Sequence, residues 1–470
     1  MNRTARGADL STPFEPTPDV VDLGARRPDA ASLLRLWAVL LLVLPAKLVL
    51  APLGSAGSPA QVLGMAGAFW WAASHFLARL PQVRTRRPVQ LAMGVFWFAT
   101  LVSYIVAVTR PIEGVELSAA DRGMLVVLSW AGILLVAGDG ITSRERLDDV
   151  LRVVVAGTAV GALVGLLQFT TGTAFVDRIV IPGLTQNSAV TGVFARNGFS
   201  RAAGTSTHPI EFGVLLTMVL PLALHLALND RRRGPVRRWF PVVAIGAAIP
   251  VTLSRSAILG LALVLVVVLP TWPKERRRWA YVALVGGFGA VYVAVPGLLG
   301  TMTRLFTGIS SDNSALSRVD SYGIALQYVG LDPLFGRGFG TFLPRYHILD
   351  NQYLGTVVET GLVGLATFLA LLVTAAVVAV RMGRRLPSVA DRSLAVSLVA
   401  GLASAAAAAA TFDALGFPQV AGCLFLFLGL VAALSRLTTQ AGARPDPTAV
   451  AAAPAPGAGD LPGPLPAGRT

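Results

Sequence analysis

Residues able to do chemistry fall in three stretches of an otherwise apolar chain. The first, RNGFSRAAGTSTHPIEFG, carries Arg196, Arg201, His208 and Glu211, and the second, VTLSRSAILGL, carries Arg255. The third runs from SRVDSYGIALQYVGLDPLFGRGFG into LPRYHILDNQYLGTVVETGLVGL. It carries Arg318, Arg337, His347, Asp350, Asn351, Tyr353 and Glu359, and it begins like a polar loop and ends like a membrane helix. Arginine offers a planar, permanently charged fork that binds phosphate oxygens two at a time. An arginine on a membrane helix costs on the order of 2.5–3.5 kcal/mol at the bilayer centre and less at the interface, so Arg255 is expected to be paired or functional.

The elements that must position these residues are membrane spans. The chain has 470 residues, 54% hydrophobic and 14% charged, with a mean hydropathy of +0.66, which is the composition of a polytopic membrane protein. The expected fold is an all-α membrane bundle of about twelve spans, near 33–53, 60–78, 88–108, 122–138, 147–169, 209–228, 238–252, 255–270, 279–296, 354–380, 392–411 and 418–436. Residues 33–436 form the transmembrane domain. The segments 1–32 and 437–470, rich in Pro, Ala and Gly, are expected to be disordered and cytoplasmic. The net charge of +14 does not mark a nucleic-acid surface, because the arginines fall in short clusters between apolar runs. Cys423 is the single cysteine, so no intramolecular disulfide is possible.

Charge asymmetry orients the spans. Arg79, Arg84, Arg86 and Arg87, Arg144 and Arg146, Arg232 and Arg233, Arg276 to Arg278, and Arg384 and Arg385 all lie in alternate loops, which marks that side as cytoplasmic. Two long segments, 170–208 and 297–353, are then placed outside, and the large one separates spans nine and ten. The spans beginning near Pro209, Ser256 and Asn351 run inward from that face. Their N-termini offer unpaired N–H groups and positive dipole ends, a setting for phosphate or pyrophosphate. The stretch ALSRVDSYGIALQYVG has helical spacing of Leu316, Val319, Gly323 and Leu326, as in an interfacial helix that covers the site.

The motifs LSRSAILGL, RAAGTSTHP and PLFGRGFGTF…DNQYLGTVVETGLVGL resemble those of the O-antigen ligase and polymerase-like family, the Wzy/WaaL-type bacterial polysaccharide polymerases and ligases. The resemblance runs from about 185 to 380 in motifs and over nearly the whole chain in topology. It implies a glycosyltransferase of the cytoplasmic (inner) membrane that takes a glycan from undecaprenyl pyrophosphate on the outer face, needs no cofactor or metal, and transfers to an acceptor glycan. A flippase and a chain-length regulator are the partners it implies. On this reading Arg201, Arg255 and Arg337 hold the donor pyrophosphate, and Asp350 is the base or orienting group for the acceptor hydroxyl. His208, Glu211, Arg318, His347, Asn351, Tyr353 and Glu359 support them. The chain departs from the family in having Asp350-Asn351 where ligases have His-Asn, and Ile210-Glu211 after the His-Pro pair. That departure, with a composition that points to a high-GC genome without lipopolysaccharide, favours polymerisation of exopolysaccharide or capsule over ligation to lipid A core, and a glycan ligase acting on a lipid, wall polymer or protein acceptor is the alternative.

Each residue also has a plainer reading. Asp350 can be the N-cap of the tenth span as well as a base, His208 a helix-entry residue, and Arg337 a turn residue solvating its loop. The glycines of GRGFG let that loop turn tightly rather than bind a dinucleotide. Glu359, one to two turns into a span, calls for an arginine or a broken backbone as partner. Lys47 is expected to snorkel from the first span, and His75 and His225 lie toward the cytoplasm with no chemistry assigned. A lipid-linked oligosaccharide flippase is the competing class. Transporters commonly carry related halves and mid-membrane breaks, whereas the polar motifs here concentrate at one face.

Overall fold

The computed structural model describes residues 29–77, 87–187, 192, 194–196, 198–230, 232–307 and 313–442. Most of the expected segments 1–32 and 437–470 lies outside those residues. The fold is a helical bundle: α1 Ala30–Leu42, α2 Pro59–Leu77, α3 Pro88–Val108, α4 Gly114–Gly140, α5 Arg144–Thr171, α6 Pro209–Asn229, α7 Pro235–Val251, α8 Arg255–Val268, α9 Lys274–Ala294, α10 Leu298–Thr307, α11 Asn313–Leu331, α12 Gln352–Arg385, α13 Val389–Ala409 and α14 Pro418–Gly442. Two short antiparallel pairs accompany it, β1 Leu48–Val49 with β2 Thr185–Gln186, and β3 Phe194–Arg196 with β4 Phe199–Arg201.

A helix stands at each of the twelve expected spans, and among the described residues seven helices are long and apolar enough to cross a membrane. The count of twelve crossings therefore stays an expectation. The first span is the clearest difference. Helix α1 ends at Leu42, and the chain continues as β1 and a 3-10 turn rather than as helix to residue 53. Lys47 consequently does not snorkel; it is buried and donates to Asp177 at 2.9 Å. Two helices, α10 and α11, occupy the segment read as a large outer loop, and α11 matches the helix expected there.

Local sequence explains the helix starts. Proline stands at the first turn of α3, α6 and α7, where its missing N–H is not needed. Side chains of Asp29, Ser143, Ser254 and Ser388 cap α1, α5, α8 and α13. The core is organised around α6 and α14, whose most apolar windows are 89% and 83% buried. Small residues bring helices together: Gly132 of α4 meets the Gly64 backbone of α2, and Gly401 of α13 meets the Met218 carbonyl of α6. Helix α9, by contrast, has no buried residue.

Helix α12 is broken at Gly361, whose φ of 66° no ordinary side chain adopts cheaply. The freed backbone is taken up by the loop before it. Arg337 and Gly338 donate N–H bonds to the Val358 and Glu359 carbonyls at 2.9 and 2.7 Å, and Leu362 and Val363 donate to Pro333 and Leu334 at 2.9 and 3.1 Å. A Cβ on Gly361 would collide with the Leu334 carbonyl, and one on Gly336 would collide with the Glu359 backbone. The glycines of this motif thus permit backbone to pack on backbone where a helix must open.

Candidate active site

Helices α6, α8 and α12 begin at the same end of the bundle, and a closed chain of contacts joins their first turns. Arg201, at the end of β4, donates from Nε to the Thr252 carbonyl at 3.0 Å, and the next residue, Ala202, donates to Val251 at 3.2 Å. Two residues past Thr252, Ser254 caps α8, so Arg255 opens that helix beside Arg201. The Ser256 hydroxyl lies 2.6 Å from the Thr411 hydroxyl at the end of α13. Phe412 accepts an N–H bond from Gln352 at 3.2 Å, and Leu415 donates to the Gln352 side chain at 2.7 Å, which holds the start of α12 against the 412–417 turn. Phe417 then lies tilted against His208, with 6.1 Å between ring centroids.

Only two non-glycine residues among those described have positive φ, Leu253 and Asp350, both at 48°. Leu253 stands two residues before α8 and Asp350 two before α12. A leucine in the left-handed region stores on the order of 1–3 kcal/mol, whereas an Asp tolerates it better, and such conformations collect where a site imposes a geometry. Asp350 is not the helix cap. Asn351 takes that role, accepting N–H bonds from Tyr353 and Leu354 at 3.0 and 3.3 Å. The carboxylate of Asp350 is therefore not committed to the helix end.

A second carboxylate lies beside it. Asp413 accepts the Asn351 N–H, and burial first, then the negative charge of Asp350, raises its pKa to about 6. The 412–417 turn carries no lysine or arginine and drew no attention as part of the site. Its one acid, in a turn otherwise apolar, was the signal for Asp413, but its neighbour is 63 residues upstream and contact alone reveals it.

His208 caps α6, its Nδ1 accepting the Ile210 N–H at 3.1 Å. Burial, followed by the positive charges of Arg201 and Lys47, lowers its pKa to about 4. The ring is neutral at pH 7 with its proton on Nε2, so His208 offers a hydrogen-bond donor and no base. The influence of Lys47 places a third cation in this neighbourhood, missed because Lys47 was assigned to the lipid-facing span.

Other expected site residues hold the scaffold. Glu211, wholly buried, accepts from the Thr207 N–H and hydroxyl at 2.8 and 2.7 Å and from the Gln419 N–H at 2.7 Å, so one carboxylate closes the RAAGTSTHP loop and caps α14 from outside it. Gln168 accepts from Ala203 and Gly204 at 3.2 and 2.8 Å, which satisfies the same loop from α5. Glu359 is answered by backbone rather than arginine, accepting the Phe342 N–H at 3.4 Å. Tyr353 donates to the Ala406 carbonyl at 2.7 Å. Arg337 pairs with Glu116 and lies over the rings of Tyr346 and Tyr328, at 4.7 and 5.7 Å from their centroids. His347 meets the Ser321 hydroxyl of α11 at 2.9 Å. Arg318 lies on α11, with its side chain outside the described residues. No cluster of three or more metal-ligating side chains occurs among the described residues.

A turn that joins three helix N-termini to two arginines and a carboxylate pair can hold an anion and orient a hydroxyl. Residues 240–369 match the family model described as O-antigen ligase. The matched span runs from α7 into α12 and contains Arg255, Arg337, His347, Asp350 and Glu359, while Arg201 and His208 precede it. No curated protein matches the chain. Fold and match together define an integral membrane protein, and they bear out the O-antigen ligase/polymerase-like resemblance read from the motifs.

Proposed function

We propose that this protein is a membrane glycosyltransferase that polymerises exopolysaccharide or capsule repeat units from an undecaprenyl-pyrophosphate-linked donor on the outer face of the cytoplasmic membrane. The observation that carries this reading is the ring of contacts that brings together the N-termini of α6, α8 and α12, with Arg201 in it, Arg255 as the first residue of α8 and Asp350 two residues before α12. The guanidinium groups and helix dipoles take the donor pyrophosphate, and the Nε2 proton of His208 adds a neutral donor. The acceptor hydroxyl, oriented by Asp350, attacks the anomeric carbon. Its oxygen forms the new glycosidic bond, the bond from that carbon to the phosphate oxygen breaks, and the proton passes to the carboxylate. Undecaprenyl pyrophosphate leaves, its charge stabilised by the same arginines.

The polysaccharide profile of a deletion strain tests polymerisation. The expected result is loss of long polymer with single repeat units retained on the lipid carrier. Free, full-length polymer that is never attached to an acceptor identifies a ligase instead and overturns the polymerase reading.

The side of the membrane is tested separately. With Cys423 replaced, cysteines at the exposed positions Val180 and Leu331, 84% and 75% accessible, are expected to react with an impermeant thiol reagent in intact cells, and one at Val236 only after lysis. Labelling in the reverse order places the ring of arginines in the cytoplasm and removes the lipid-linked donor.

A further inference from the structure

The far end of α6 opens into a different environment. Helix α6 has 21 residues, so at 1.5 Å per residue its ends stand about 30 Å apart, with His208 at one and Asn229 at the other. At the Asn229 end two cavities of about 430 and 440 Å³ share His225 and Asn229 as walls. They differ in charge. In the second, Arg144 pairs with Asp148 and Asp391, Arg152 with Asp149 and Asp230, and Arg232 with Glu145, so every guanidinium that lines it is neutralised.

The first cavity has no such balance. Arg276 and Arg392 stand at its wall, and among the described residues neither has a carboxylate within salt-bridge reach. Each also lies in the first turn of a helix, α9 and α13, where the dipole is already positive. Both side chains are exposed, and Glu275 and Asp391 share their helix starts, so solvent screens the two guanidinium groups and leaves them able to take a phosphate as a further partner. Leu224, Leu228, Val268, Trp272 and Val396 form the apolar part of the lining, beside polar side chains that include His225, Asn229 and Ser393. Two arginines and an apolar wall in one cavity between helices match a phosphate headgroup joined to an acyl chain, and a free phosphate leaves that wall unused.

We propose that this cavity binds an anionic phospholipid of the cytoplasmic leaflet, its phosphate between Arg276 and Arg392 and the start of one acyl chain along Trp272 and Val268. The choice of leaflet rests on the same orientation as the glycan-transfer reading, while binding in detergent does not depend on it.

Trp272 supplies a local probe. In purified full-length protein in neutral detergent, phosphatidylglycerol brominated on its acyl chains is expected to quench tryptophan emission saturably, and Trp272→Phe removes the saturable component. The double variant Arg276→Gln/Arg392→Gln is expected to weaken the titration about thirtyfold, from roughly fivefold per basic side chain, with an unchanged thermal midpoint in lipid-free detergent. Val396→Phe, which fills the trough and leaves both charges, is expected to weaken it too. Equal quenching by brominated phosphatidylcholine, no change in the double variant, or competition by glycerol 1-phosphate as effective as by phosphatidylglycerol overturns the proposal. Arg201→Lys leaves this titration unchanged, so failure here is distinct from failure of the glycan-transfer reading.

Discussion

Arg201→Lys and Arg255→Lys are each expected to lower polymer formation from lipid-linked substrate by roughly a hundredfold, the scale seen when one preorganised donor to a developing anion is removed. Charge is conserved in both variants, so the loss reads geometry. An ammonium group is a point charge and cannot reproduce the two parallel N–H contacts of a guanidinium. Arg201 donates its Nε to the Thr252 carbonyl at 3.0 Å, which anchors the guanidinium beside the start of α8. A lysine at 201 loses both the tether and the fork. Both proteins are expected to insert and accumulate normally, because the charge is kept and neither residue belongs to the hydrophobic core. Wild-type activity in either variant, measured with the purified enzyme and lipid-linked repeat unit, excludes that residue from the donor site.

Asp350→Asn is expected to reduce turnover by about 10²–10⁴-fold, the range supplied by a positioned general base, with little change in thermal midpoint. Asn is the informative replacement because, with Asp, it is the residue that best tolerates the positive φ of 48° observed here. Backbone geometry is kept and only the carboxylate is removed. The cap is tested at the neighbouring position. Asn351→Ala removes the acceptor for two N–H groups of α12 and is expected to cost about 0.5–2 kcal/mol of stability. If Asp350→Asn remains active, the proton acceptor lies elsewhere, and Asp413 and His347 are the next groups to replace. Asp413 has the stronger claim by position, since its carboxyl is close enough to Asp350 to have its pKa raised by that charge.

Much of this was legible in the chain because membranes impose one-dimensional rules. Apolar runs of fixed length located a helix at each expected span, and Pro209, Ser256 and Asn351 marked helix starts to within a residue before any contact was known. The same periodicity found α11 inside an otherwise polar segment. Motif chemistry singled out Arg201, Arg255 and Asp350, since charges beside lipid need a reason that local pattern alone exposes, and the fold sets them near the starts of α8 and α12.

What the chain could not state was which polar group answers which. Glu211 and Glu359 read as members of the site, yet one caps α14 and the other receives the backbone of a loop seventeen residues away. Arg337 read as a phosphate ligand, and its guanidinium is met by Glu116, 221 residues earlier. The first span read as one long helix, and pairing of Leu48 and Val49 with residues 185 and 186 draws the chain out of helix instead. Each of these outcomes is a competition between partners far apart in sequence for the same hydrogen-bonding group. Hydrophobic length and helix-cap chemistry are local and additive enough to be read residue by residue. Satisfaction of buried polar groups is a property of the whole arrangement, because leaving one unpaired costs more than any local preference supplies, and so only the tertiary structure decided it.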